Sequence, residues 1–162
     1  MRWIPEEIDR AKLRSTLTYR LVPRLAIGIE YNPLSDNTKV GPLLNWVAME
    51  EGDKRPALIF GTSSDRIGTP RGQAYFGTLS KRFKVNEKLS FSPYAGFSYG
   101  TFRDKWYTIG GLRTNFNDRL SSVLIYDGVN VHPTVEYRHG RHVFSAIWAS
   151  TQSPGVAYSV TF

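Results

Sequence analysis

Large apolar residues fall on every second position along much of the chain. Leu17, Tyr19, Leu21, Leu25, Ile27, Ile29 and Tyr31 share one phase, with Thr18, Arg20, Ala26, Gly28 and Glu30 between them. Leu89, Phe91, Pro93, Ala95, Phe97 and Tyr99 alternate with Ser90, Ser92, Tyr94, Gly96, Ser98 and Gly100. Val131, Pro133, Val135 and Tyr137 alternate with His132, Thr134, Glu136 and Arg138, and Val156, Tyr158, Val160 and Phe162 with Ala157, Ser159 and Thr161. Successive side chains of a strand point to opposite faces. Each run therefore predicts a strand with one large apolar face and one small or polar face.

Turn signals separate these runs. Residues 32–37 form a loop by composition, and Glu51-Gly52-Asp53-Lys54, residues 84–88, Asn117-Asp118-Arg119 and Gly140-Arg141 form turns. The loop over residues 65–72 is the most elaborate. Further strands are predicted over residues 43–50, 57–63, 74–83, 106–116, 120–127 and 143–150. Short strands at this spacing predict an all-β protein, read here as an antiparallel up-and-down barrel closed by its last strand against its first. There are about eleven segments if Val22-Pro23-Arg24 turns the chain, and about ten if one strand runs through a proline-marked bulge. The expectation is ten, with twelve as the alternative, because bacterial membrane barrels have even strand numbers. Twelve needs a strand within residues 2–12, where Pro5 and two glutamates are unfavourable. Pro5 to Leu13 reads instead as an arm or short helix, with proline and acids first and basic residues later. The expected organisation is an N-terminal arm or helix over residues 1–13 and one β-barrel domain over residues 14–162. Arm and C-terminus then lie at the same end.

The closing stretch Gly155-Val156-Ala157-Tyr158-Ser159-Val160-Thr161-Phe162 resembles the last strand of bacterial outer-membrane β-barrel proteins. Tyr158, Val160 and Phe162 match that family's C-terminal aromatic assembly signal. The resemblance implies a transmembrane β-barrel in the bacterial outer membrane. It implies membrane lipid or lipopolysaccharide and the barrel-assembly machinery as partners. It also orients the chain, with Phe162 and the short turns on the periplasmic side and the longer loops around residues 32–41 and 64–73 outside. Met1 to Glu7 contain no apolar leader core, so this reading expects the mature form of an exported protein.

Composition narrows the classes. At 162 residues there is room for one domain. No stretch reaches the roughly 18 consecutive apolar residues of a spanning helix, a test that membrane barrels evade. The absence of cysteine excludes a disulfide framework and a thiolate metal site. A net charge of +7 suits attraction to anionic lipid. Nucleic acid is not an expected partner, since no basic helix or recognition motif is present. Trp3, Trp46, Trp106 and Trp148 read either as interfacial anchors or as core aromatics. Periodicity alone does not tell inside from outside. A soluble barrel that binds an apolar ligand would turn the apolar face inward and put Arg20, Glu30, Glu136 and Arg138 in water.

The lumen candidates are Arg20, Glu30, Arg113, His132, Glu136 and Arg138, expected to form an ion-pair network because unpaired buried charges are costly. Asp65 and Arg66 are expected to form a weak exposed pair in an external loop. A lipid-modifying hydrolase is the enzymatic alternative, and it needs a nucleophile with His and an acid in reach. His132 and Glu136 lie roughly 13 Å apart along one strand and do not touch. His139 and His142 flank a turn on the periplasmic side. The short His-x-Ser arrangement of the outer-membrane deacylases is missing. No catalytic residue, metal or cofactor is therefore assigned. Gly110-Gly111 precedes no helix and reads as a strand kink or a place of close approach rather than a phosphate loop. The expected role is structural, binding or narrow-pore, in a porin-like barrel.

Overall fold

The computed structural model describes residues 1–5, 12–35 and 40–162. The strands are β1 (Arg2–Trp3), β2 (Leu13–Val22), β3 (Leu25–Tyr31), β4 (Val40–Met49), β5 (Ala57–Ser64), β6 (Gln73–Ser80), β7 (Phe83–Lys84), β8 (Ser90–Gly100), β9 (Lys105–Asn115), β10 (Leu120–Tyr126), β11 (Val131–His139), β12 (His142–Ala149) and β13 (Ser153–Val160). Each ring strand pairs antiparallel with its neighbours. β1 sits between β2 and β13, and the β6–β8 pairing closes the ring. The short β7 bonds only to β8, so the wall is a closed antiparallel barrel of twelve strands. No helix occurs among the described residues.

The expected ten strands become twelve for two reasons. Pro23 and Arg24 do form a turn, with a register shift between Arg20 and Val22, so β2 and β3 are a hairpin. Proline has no N–H for a ladder but suits a turn. The extra strand is β1, which ends before Pro5 and so escapes the objection raised by that residue. The helix expected over residues 5–13 falls mostly on residues 6–11, outside those described. β1 runs away from the end that holds Phe162, so its connection to β2 lies at the opposite end from the C-terminus, contrary to expectation.

The barrel thus has a turn end, with the β2–β3, β4–β5, β6–β8, β9–β10 and β11–β12 connections and Phe162, and a loop end, with the others. Several turns are tightened by asparagine. Asn86 Oδ1 accepts the N–H groups of Lys88 and Leu89, and Asn117 Oδ1 those of Arg119 and Leu120.

The alternation resolves inside from outside. Tyr19, Phe97 and Trp106 are 69%, 62% and 67% exposed, while Glu30, Ser98 and His132 are buried. The large apolar face therefore points out and the polar face points into the lumen. All four tryptophans are on the outside, so none is a core aromatic. Much of the buried set, including Ile4, Ala149, Tyr107, Glu30, Asn32 and Asp65, gathers at the loop end.

Gly111 is a place of close approach. A Cβ there would collide with the Leu124 carbonyl oxygen of β10 and lie 2.6 Å from the Tyr94 ring. The neighbouring strand and the Tyr94 ring leave no room for a side chain at this point. Gly111→Ala is expected to destabilise the barrel by roughly 1–3 kcal/mol, read from the urea midpoint. An unchanged midpoint would show that the wall relaxes freely there.

Candidate ligand site in the loop-end lumen

The inward phase of β2 carries Arg14, Thr16, Thr18 and Arg20, and that of β3 carries Glu30. Glu30 is only 1% exposed. Its carboxylate accepts Arg14 Nη2 at 2.6 Å, Asn32 Nδ2 at 3.0 Å and, more weakly, the Ser64 N–H at 3.4 Å. Three elements converge on one buried charge, which receives a cation and two neutral donors. Such a carboxylate is compensated rather than free to react.

A second buried carboxylate, Asp65, sits at the head of the loop after β5. One oxygen accepts the Arg66 N–H at 2.8 Å and the other the Phe102 N–H at 3.0 Å. Gly100 leaves the room it occupies, since a Cβ there would stand 2.7 Å from Asp65 Oδ1. The Asp65 carboxylate, expected to lie exposed, is therefore buried and ties two loops together. The Arg66 guanidinium lies over the Tyr107 ring, 4.7 Å from its centre.

His132 is 2% exposed and faces inward from β11. Its Nε2 lies 3.0 Å from Asp127 Oδ2, and its Nδ1 accepts the Ser150 N–H at 2.9 Å. That network assigns the neutral tautomer with the proton on Nε2. Asp127 also accepts the N–H groups of Val129 and Asn130. Burial pushes its carboxyl upward, but the bonds from His132, Asn130 and Val129 prevail and hold it below the ordinary 3.8. A depressed carboxyl adds stability at neutral pH that is lost as pH falls through its folded value. Asp127→Asn is expected to cost about 1–3 kcal/mol at pH 7, because the amide cannot accept every bond the carboxylate does. Its urea midpoint is expected to converge on that of the parent as the pH is lowered below the ordinary carboxylate range.

The other sequence candidates separate. Arg113 and Glu136 pair at 2.7 and 3.3 Å, with Ser121 donating to the same carboxylate at 3.2 Å, but at the turn end. Arg20 and Arg138 are exposed at that end's mouth and join no ion pair among the described residues. The six therefore do not form one network. Tyr158 and Val160 face outward near the turn end, where Tyr158 packs against Phe144 and its hydroxyl bonds His142 Nδ1 at 2.7 Å; Phe162 is 96% exposed.

Arg14 and Asp127 were not among the sequence candidates. Phase was the available signal for Arg14, since it precedes Thr16, Thr18 and Arg20 by whole strand repeats. For Asp127 the signal was the turn motif Asp127-Gly128-Val129-Asn130.

Between these groups lies a cavity of about 300 Å³, lined among others by Arg14, Ser63, Arg66, Tyr94, Ser98 and His132. Arg14 Nε and Arg66 Nε are buried without a hydrogen-bond partner among the described residues. No group of metal-ligating side chains occurs among the described residues. Comparison with known proteins finds no match to a family model, a curated protein or a solved structure.

Proposed function

We propose that the chain is a small bacterial outer-membrane barrel that binds an anionic group in its loop-end lumen. The observation that carries the membrane reading is the outer surface. Near the loop end it bears Tyr31, Tyr75, Trp106, Tyr126 and Trp148, and near the turn end Tyr19, Trp46, Tyr137, Phe144 and Tyr158, all exposed. Between the two belts lie Leu17, Ile29, Phe97, Leu124, Val135 and Val156, also exposed. Aromatic girdles around an apolar band suit a bilayer, whereas a water-soluble monomer seldom exposes apolar surface on this scale. The turn-end segments 20–24, 50–55, 81–88, 118–119 and 138–141 hold eleven Lys and Arg against five Asp and Glu, which suits anionic headgroups at that rim.

The binding reading rests on the cavity. Arg14 and Arg66 line it with Nε donors that have no partner among the described residues, and the acids of its lining, Asp65 and Asp127, are already engaged. A phosphate or carboxylate group of a lipid or solute matches that donor set. Hydrolysis is disfavoured, because both nitrogens of His132 are engaged and none remains to activate a serine. The apolar face lies outside, so the lumen does not suit an apolar ligand.

The test is twofold. The expressed chain is expected to require detergent and to migrate faster unboiled than boiled on a mild-detergent gel. The folded barrel is expected to bind inorganic phosphate by calorimetry, with Arg66→Ala weakening binding at least tenfold. A chain monodisperse in water without detergent overturns the membrane reading. Undetectable phosphate binding, or binding unaffected by that substitution, overturns the site.

A further inference from the structure

The loop-end cavity has two kinds of lining, and they lie at different depths. Arg14 is the second residue of β2 and Arg66 stands in the loop after β5, so both guanidinium groups are at the mouth. Phe76, Tyr94, Ile109 and Ile125 line the same cavity. Counted from the loop end of their strands, Phe76 is the fourth residue of β6, Ile109 the fifth of β9 and Tyr94 the seventh of β8. All four belong to the lumen face. Phe76 stands opposite Ser98, Ile125 opposite His132, Tyr94 and Ile125 both opposite Gly111, and Ile109 two residues from Tyr107. Directly opposed residues share a face, and Ser98, His132 and Tyr107 are buried.

The space exists because two rings lie along the wall instead of across the lumen. Phe76 is opposite Gly61, and Tyr94 is opposite Gly111. A Cβ at either glycine would collide with the facing ring. Each glycine therefore gives its neighbour a place to fold down. Ile125 faces inward yet is 37% exposed, so apolar surface is left bare to the cavity.

We propose that the cavity takes a small monocarboxylate with a short unbranched apolar tail. Its head meets Arg14 and Arg66 at the mouth, and its tail runs down the lumen beside Ile125, Phe76, Ile109 and Tyr94. This rests on the reading of the same cavity as an anion site and names the class of solute. A bare inorganic anion leaves the apolar lining in water, and a wholly apolar ligand leaves two buried Nε donors unpaired. Asp65 and Asp127 also line the cavity, so a head with a single negative charge suits it better than one with two. A volume of about 300 Å³ is at the lower limit for small-molecule sites, which fits a free solute and not a two-chain lipid.

Calorimetry of the folded full chain in detergent micelles, blanked against micelles alone, tests this with acetate, butyrate and hexanoate. Affinity is expected to rise roughly fourfold per methylene, the gain for burying one CH₂ group. Arg66→Ala is expected to weaken all three by a similar factor. Ile109→Thr combined with Ile125→Thr is expected to flatten the rise, each affinity being taken relative to acetate on the same protein. Inorganic phosphate separates this inference from the reading beneath it. Phosphate binding that Arg66→Ala weakens, together with alkanoate affinities level from acetate to hexanoate, keeps the anion site and overturns the tail. Absence of binding by phosphate and by all three alkanoates overturns both. A rise with length that survives the double replacement puts the tail elsewhere and overturns the inference as well.

Discussion

Glu30→Ala is expected to lower the stability of the folded barrel by about 3–5 kcal/mol, the range for stranding one partner of a buried ion pair. Glu30 is 1% exposed and Arg14 is 22% exposed, so the guanidinium left behind has little access to water. The loss also strips Asn32 Nδ2 and the Ser64 N–H of their acceptor. A double replacement, Arg14→Met with Glu30→Leu, is expected to be less damaging than Glu30→Ala alone, because it removes both charges and keeps the volume. Urea unfolding of the barrel refolded into lipid vesicles measures both. The contrast within the molecule is Arg24–Glu50, which pairs at 2.7 Å with both side chains more than half exposed. Neutralising that pair is expected to leave the midpoint nearly unchanged, since water and salt screen it. If Glu30→Ala behaves like the Arg24–Glu50 variant, the loop-end network contributes nothing to the fold.

Much of this architecture could be read from alternation, and the rest could not, for reasons that differ from element to element. Strands such as β8, β11 and β13 bury one face, so their period is written in the residues. β1 is too short to show any period, and it was the strand that decided between ten and twelve. Pro23 was ambiguous because the phase continues unbroken across a two-residue turn, as it also would through one strand. Inside and outside are related by inversion, and only the closure of the sheet breaks that symmetry. Partner choice was the least legible. Glu30 takes Arg14 rather than Arg20, although both share its face, because Arg14 stands at the crowded loop end and Arg20 at the open mouth. His132 and Glu136 lie on one strand face yet serve opposite ends of the lumen.

The outward face makes the second large prediction depend on depth. An arginine on the lipid face costs about 2–4 kcal/mol at the bilayer midplane and falls to about 0–1 kcal/mol near the interfaces. Val160 pairs with His142 at the rim of the turn end, so on the proposed membrane reading Val160→Arg sits where the penalty is small. Val135 pairs with Ser122 and Ala146, and Ala146 with Val156. That row lies midway between the belt of Tyr137, Phe144 and Tyr158 and the belt containing Trp148. Val135 is 44% exposed and faces away from the lumen, so an arginine there has no internal partner. Val135→Arg is expected to reduce the folded yield in phosphatidylcholine vesicles strongly and to lower stability by about 2–4 kcal/mol, while Val160→Arg stays close to the parent. The difference between the two variants carries the test, since any charge on an apolar wall would perturb folding somewhat. In detergent micelles, whose headgroups reach the belt more freely, the gap is expected to narrow. Equal effects at the two positions would mean that the apolar band does not meet a bilayer. The exposed row from Val135 to Val156 would then have to be covered by protein instead.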